Sequence, residues 1–263
     1  MAAFDESRYE INGVEVVVLS AGDGPPLLFF HGAGTVTGFD AIVPLADGFR
    51  LIAPYHPGYG PSADDPSVDS IHDYVLHYLD LLDVLGIDAF TLAGHSMGGL
   101  LAAWLAIEQT ARVKRLVLVS PLGMRVPEHP TVDIFAIPDE ELLSYVSEDM
   151  SVFEGYVPVP PTPDFLAARY RESTSTARMF WDRSYDLKLP KWLHRLTMPT
   201  LILWGELDRL IPAGQAPVWA ELIPNAQTRI LPGVGHLPFE ESPDAARAVL
   251  DFLAAAEAAP TPG

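Results

Sequence analysis

Thr91-Leu92-Ala93-Gly94-His95-Ser96-Met97-Gly98-Gly99 places a glycine two residues before a serine and another two residues after it. The residues leading in, 89–93, are β-prone, and those leading out, 100–107, form an apolar helical run. A serine on so tight a strand-to-helix turn is held in a strained backbone conformation with its hydroxyl clear of the sheet. Side chains two positions away on either side would collide with the turn, which is why glycine is needed there. The helix behind the serine offers its positive dipole end and free amides to a developing oxyanion. Gly-x-Ser-x-Gly alone arises by accident, and a glycine turn serving only close helix–sheet packing reads the same. Here the strand before it and the helix after it favour a nucleophile.

The rhythm around this turn is that of an α/β protein. Short apolar or β-branched runs recur at 14–19, 27–30, 49–53, 113–119, 200–204 and 228–231. Several are apolar almost throughout, as parallel strands covered on both faces should be. Helical patterns alternate with them. In 71–85, Ile71, Tyr74, Val75, Tyr78, Leu82 and Leu85 share one face, Ser70 is placed to cap the start with Asp73 nearby, and Gly86 ends it. Alternation of this kind predicts a mostly parallel sheet with right-handed crossovers and helices on both faces. From 121 to 190 the rhythm stops. No strand is predicted there; 137–150 reads as an acidic amphipathic helix, 157–163 as an extended proline bridge, and 164–182 as helix. This segment is expected to be a helical cap over one core domain formed by 1–120 and 191–263. A surface elaboration without a role in binding is the alternative.

Composition narrows the chemistry. With 49% hydrophobic and 19% charged residues, the 263-residue chain has material for a core. Its formal charge of −19 repels phosphate backbones and anionic membranes, so neither nucleic acid nor a membrane is an expected partner. Cysteine is absent, which removes thiol nucleophiles, disulfides and thiolate-bound metals. No His-Glu-x-x-His or His-x-His cluster, phosphate loop or dinucleotide fingerprint occurs, so no metal and no cofactor is expected. The polar, acidic stretch 1–10 lacks the pattern of a signal peptide, and no apolar run reaches the ~20 residues of a membrane span, so a cytoplasmic location is expected.

These motifs resemble the α/β-hydrolase fold family over nearly the whole length, and most closely its lid-bearing, single-domain serine hydrolases. The resemblance implies the chain order serine, acid, histidine, with the cap inserted after the sixth strand. Leu203-Trp204-Gly205-Glu206-Leu207-Asp208-Arg209-Leu210-Ile211-Pro212 is similar to the family's acid loop, and Gly233-Val234-Gly235-His236-Leu237-Pro238 to its histidine loop. Ser96, Asp208 and His236 are therefore the implied triad. Glu206 shares the acid loop, but the match falls on Asp208. Some relatives carry the acid after the strand ending near Val119; here that position reads Ser120-Pro121-Leu122-Gly123, without a carboxylate. Phe30-His31-Gly32-Ala33-Gly34 resembles the family's oxyanion loop. It implies amide donors from Met97 and Ala33, with Gly34 the second choice and His31 a loop brace. Among the other histidines, His72 and His77 are expected to face solvent, His56 to be structural and His95 to pack rather than react. Serine at 96 separates the chain from relatives with an aspartate elbow, to which the resemblance assigns haloalkane and epoxide chemistry.

The expected activity is hydrolysis of carboxylic esters of small to medium size through an acyl-enzyme, with a small molecule as the only partner. Alternatives are cleavage of a C–C bond in a vinylogous diketone acid (the meta-cleavage-product type), lactone opening or acyl transfer, or a non-catalytic ligand-binding module that kept the triad. His236 is followed by Leu237 where the C–C subgroup typically has tryptophan. Arg169, Arg171, Arg178 and Arg183 are candidates to meet a substrate carboxylate, although salt pairs with nearby acids are the simpler expectation. Phe135, Phe180, Trp181 and Leu237 are candidate substrate contacts. Aromatic residues at helical spacing are equally read as core. Oligomeric state is not encoded in any of these features.

Overall fold

The computed structural model describes residues 4–257. The outermost residues of the N-terminal stretch and of the 191–263 segment lie outside it. In chain order the elements are β1 (Asp5–Ile11), β2 (Val14–Ala21), β3 (Pro26–Phe30), β4 (Arg50–Pro54), α1 (Ile71–Val84), β5 (Phe90–His95), α2 (Met97–Glu108) and β6 (Val113–Val119). Then follow α3 (Asp139–Val146), α4 (Pro163–Phe180), β7 (Thr200–Gly205), α5 (Ala216–Leu222), β8 (Ala226–Leu231), α6 (Pro238–Glu241) and α7 (Pro243–Glu257). The strands form one eight-stranded sheet in the order β1-β2-β4-β3-β5-β6-β7-β8. Pairing is parallel from β4 through β8 and antiparallel at β1–β2 and β2–β4.

Strand alternation divides the core into two layers. Leu28, Phe30, Leu92, Leu118 and Trp204 face one way and pack with Tyr74, Tyr78, Leu101, Leu105 and Trp219. Leu27, Phe29, Ala93, Val117 and Leu203 face the other and pack with Leu45, Val249 and Leu253. Both faces are covered, as a parallel sheet requires. The polar strand β1 is the one sequence periodicity does not find. Glu6, Arg8 and Glu10 on one face are exposed, while on the other Ser7 and Tyr9 are half-buried and Ile11 is buried at the sheet edge.

Helix α1 begins with a reciprocal capping box. Ser70 Oγ accepts from the Asp73 amide and Asp73 Oδ2 accepts from the Ser70 amide at 3.0 Å. Its buried arc is wider than the expected stripe. It takes in His77, which was expected to face solvent but is buried beside Tyr78. Burial lowers the His77 pKa to about 4. Between β6 and β7, among the described residues, there are helices, turns and a single bridge from Gly123 to Tyr185, with no strand. Helix α3 is shorter than the 137–150 expected. Helix α4 starts at Pro163 behind a Thr162 cap.

The winding direction reverses between β3 and β5, whose neighbours in the chain lie on opposite sides. The crevice outside the C-terminal ends of such a pair is where open α/β sheets bind ligands. Phe30-His31 and His95-Ser96 are the residues that arrive there.

Candidate active site

Ser96 sits between β5 and α2 at φ 56° and ψ −118°, a left-handed conformation that side-chain-bearing residues rarely adopt. The turn is held by its own backbone. The Ser96 amide donates to Val119 O at 2.9 Å, and Ser96 O accepts from the Leu122 amide at 2.9 Å. The two flanking glycines are sterically required: a Cβ on Gly94 would strike the Gly98 carbonyl, and one on Gly98 would strike the carbonyls of Phe30 and His31. The elbow and the oxyanion loop are thus in backbone contact. Met97 opens α2, so its amide has no acceptor within the helix.

His236 and Asp208 meet in the loops after β8 and β7. His236 Nδ1 lies 2.8 Å from Asp208 Oδ2, and both side chains are buried. An ionised carboxylate only accepts, so the Nδ1 atom carries the proton and Nε2 is left as the basic nitrogen. Asp208 is itself fixed, its Oδ1 accepting from the amides of Leu210 at 3.0 Å and Ile211 at 2.8 Å. Glu206 points elsewhere. It is exposed and accepts from the Gly233 amide at 3.0 Å, bracing the histidine loop from outside. Glu241 braces the same loop through the amides of Gly235 and Leu237.

His95 does more than fill space. Its Nε2 lies 2.7 Å from the His236 carbonyl, and the two rings are 4.8 Å apart. Burial, helped by the neighbouring His236 ring, lowers the His95 pKa to about 3, so it is neutral and donates from Nε2. It is a brace for the histidine loop. Adjacency to Ser96 in sequence gave no sign of a partner in another loop.

The front of the oxyanion loop is pinned by a second neutral pair. His31 Nε2 accepts from the His56 amide at 3.0 Å, so His31 Nδ1 carries the proton and donates to Gly32 O at 2.7 Å. His56 Nε2 donates to His31 O at 2.9 Å and its Nδ1 accepts from the Tyr78 hydroxyl. Burial dominates both shifts, lowering the His56 pKa to about 3 and that of His31 well below the usual value. Neither is poised to carry protons near neutrality. The rear of the loop is held from α4. Glu172 is buried there, and its carboxylate accepts from Thr35 N at 3.1 Å, Thr35 Oγ1 at 2.5 Å and Gly60 N at 3.0 Å.

A small cavity opens over Ser96 and Met97. Ala33, Leu122, Val132, Ile134, Phe135, Phe180, Leu210 and Ile211 give it apolar walls, and Thr131, Asp133, Thr176 and Ser184 add polar ones. Ala33 lines it, whereas Gly34 is exposed and does not. Of the four candidate substrate contacts, Phe135 and Phe180 line the cavity. Trp181 does not: at 69% exposure it lies on the outer surface with its ring 5.3 Å from Phe135, because the backbone stays helical through it and the next position falls about 100° around the helix from Phe180. Leu237, in the histidine loop itself, is buried and does not line the cavity. Three of the four candidate arginines are engaged elsewhere. Arg169 pairs with Glu172 at 2.7 Å, Arg178 with Asp64, and Arg171 donates to Gly60 O. Arg183 is exposed and away from the lining.

The segment between β6 and β7 also reaches every loop of the site. Leu122 donates to Ser96 O, Val132 N to Leu210 O at 2.9 Å, and His236 N to Val146 O at 3.1 Å, while Glu172 holds Thr35.

A parallel sheet with a serine elbow at its switch point, and a buried Asp–His pair beside it, is the arrangement of a hydrolase. The chain belongs to the alpha/beta hydrolase family, whose profile matches residues 27–249. It is 28% identical to a 2-hydroxy-6-oxo-6-(2'-aminophenyl)hexa-2,4-dienoic acid hydrolase of Metapseudomonas resinovorans, over 96% of this chain and 92% of that one. It is 31% identical to a pimeloyl-[acyl-carrier protein] methyl ester esterase of Legionella pneumophila (strain Corby), over 83% of this chain and 90% of that one. Among solved structures, a serine hydrolase involved in carbazole degradation superposes with a TM-score of 0.80 at 24% identity, covering 96% of this chain and all of the other. Among the described residues, no helix is long and apolar enough to cross a membrane.

Proposed function

We propose that the protein is a serine hydrolase that cleaves carboxylic esters of small to medium size. The observation that carries this reading is the buried 2.8 Å contact between His236 Nδ1 and Asp208 Oδ2, which leaves Nε2 as the accepting nitrogen of a histidine held against the serine elbow through His95, with Ser96 lining a cavity. In the proposed cycle His236 Nε2 takes the Ser96 proton as Oγ bonds to the ester carbonyl carbon. The carbonyl electron pair moves onto oxygen, which the amides of Met97 and Ala33 stabilise. Collapse of this intermediate breaks the C–O bond, and His236 returns the proton to the leaving alcohol. Water repeats the sequence on the acyl-enzyme and releases the acid. Asp208 orients the imidazole throughout and stabilises its charged form. We propose the segment 121–190 as the cap that closes the site, within the same domain as the core.

C–C cleavage is the second reading, favoured by the similarity to dienoic acid hydrolases. Those substrates are carboxylates, and three of the four candidate cap arginines are already engaged with protein groups. The net charge of −19 further opposes approach of an anion. Both features support the ester over the dienoate. The deciding experiment is fluorophosphonate labelling with the adduct mapped by mass spectrometry, followed by p-nitrophenyl esters of graded chain length and one dienoate. The ester reading expects a single adduct on Ser96 and turnover of esters well above the dienoate. Labelling that persists in Ser96→Ala, or preference for the dienoate, would overturn it.

A further inference from the structure

The oxyanion loop hangs between two clamps of different origin. In front, His31 and His56 bind it to the core. Behind, Thr35 is bound through both its amide and its hydroxyl to Glu172 of α4. Ala33 lies between these two points, two residues from each. Glu172 is 2% exposed, an unusual place for a carboxylate on a helix whose neighbouring residues Ser173 and Thr174 are exposed. Its two oxygens are fully used. Oε1 accepts from Thr35 Oγ1 and Gly60 N, and Oε2 from Thr35 N and Arg169 Nη1. All of these partners are donors, so only a carboxylate satisfies the site. An amide in its place would turn N–H groups toward donors on one side, whichever way it flipped. Gly60 belongs to the loop that also carries Tyr59, whose hydroxyl meets Thr176 at 2.7 Å on the same helix. The carboxylate is therefore the point where α4, the oxyanion loop and the 56–64 loop are tied together.

We propose that Glu172 is a positioning residue for the oxyanion hole. By fixing Thr35 it sets the direction of the Ala33 amide, so the segment between β6 and β7 governs the rate of the chemical step as well as the choice of substrate. This rests on the ester-hydrolase reading. An oxyanion donor must point at where charge develops in the transition state, so a small rotation of the loop costs rate and leaves ground-state binding almost intact.

The test uses Glu172→Gln, Thr35→Val and Thr35→Ser in the full chain, assayed on a p-nitrophenyl ester and on a matched oxo/thiono ester pair. Sulfur is a weak acceptor and sits poorly in an oxyanion hole, so the pair reports donor geometry directly. Glu172→Gln is expected to lower kcat by about 10–100-fold with KM within about threefold, below the full cost of deleting an oxyanion donor. The oxo-over-thiono preference should shrink with it. Thr35→Val should lose about tenfold in kcat, because it keeps the amide bond to Glu172, and Thr35→Ser should restore near-normal rates. A folded Glu172→Gln enzyme with normal kcat, a loss confined to KM, or equal losses on both esters would overturn the proposal. If Glu172→Gln does not fold, Thr35→Val against Thr35→Ser decides it by the same criteria. Ser96→Ala run alongside separates the two readings. If it stays active, the ester mechanism fails and this proposal falls with it. If it is inactive while Glu172→Gln is unaffected, this proposal alone fails.

Discussion

The serine turn and helix α4 face the same cavity and are secured by opposite means. Around Ser96 the neighbours are Leu92, Ala93, Met97 and Leu100, all buried, and the turn depends on close packing and on glycines that let backbones touch. On α4 the buried residues are Glu172, Ser175, Thr176 and Phe180, so three of the four are polar. Dispersion is strong in sum but tolerant of direction. Hydrogen bonds from a carboxylate are directional, and breaking one strands a buried partner at about 1–3 kcal/mol or more. On the proposed reading the core supplies a rigid place for the nucleophile and α4 supplies alignment.

Substitutions can break this comparison at either end. The largest expected effect is on the core side. Ser96→Ala should reduce kcat by at least about 10⁴-fold with a normal melting temperature, measured on one activated ester. An active, folded variant would remove Ser96 from the chemistry. Next is the acid. Asp208→Asn keeps the shape and removes the charge that fixes the imidazole tautomer, and should cost on the order of 10⁴ in kcat. Glu206→Gln should stay within about threefold, since it touches only Gly233 from the solvent side. A crippled Glu206→Gln beside a near-normal Asp208→Asn would reverse the assignment.

On the α4 side, Phe180→Ala enlarges the cavity wall and should shift relative kcat/KM toward longer or bulkier acyl chains by about tenfold, on the scale of a few methylenes in an apolar pocket. Trp181→Ala should leave the profile unchanged because its ring lies outside. Identical profiles for all three proteins would mean that α4 does not touch substrate.

The smallest effect is on stability. His56 and His95 are neutral in the fold, with pKa values lowered to about 3 by burial. Their contribution is complete above pH 6.5 and is lost progressively as the pH falls toward 3, because the unfolded chain binds the protons first. At pH 5 each costs about 2 kcal/mol relative to pH 7. Relief of acidic self-repulsion offsets part of this. The expected outcome is a melting temperature lower by about 5 °C at pH 5 than at pH 7. A flat or rising curve would show that charge relief dominates.

The central strands and the elbow were legible because their signals are local. Phe29, Ala93 and Val117 lie in short apolar runs, and glycines mark the turn. Asp208 and His236 were legible through the motifs around them. What escaped depends on partners far apart in the chain. Glu172 meets Thr35 across 137 positions, and His95 meets the His236 carbonyl across 141. No periodicity carries such pairings, and a glutamate among arginines on a polar helix reads as solvated. His77 was misjudged because a stripe drawn from apolar residues omits a histidine on the same buried arc. Trp181 and Phe180 are consecutive on a helix, so they point about 100° apart, and the sequence does not show which of the two faces inward.

The hydrogen bonds from the 121–190 segment to the serine, acid, histidine and oxyanion loops limit how the molecule can breathe. Swinging that segment away as one rigid piece would cut Leu122 from Ser96, Val132 from Leu210, Val146 from His236 and Glu172 from Thr35 together. A lid hinged in that way would dismantle the machinery each time it opened. Passage of a small molecule would then fall to local fluctuation at the cavity wall, around 133–135 and 184, with the anchors left in place. The rate of turnover would then be set by side-chain and turn motions of a few residues, on timescales faster than the hinge motions of whole domains.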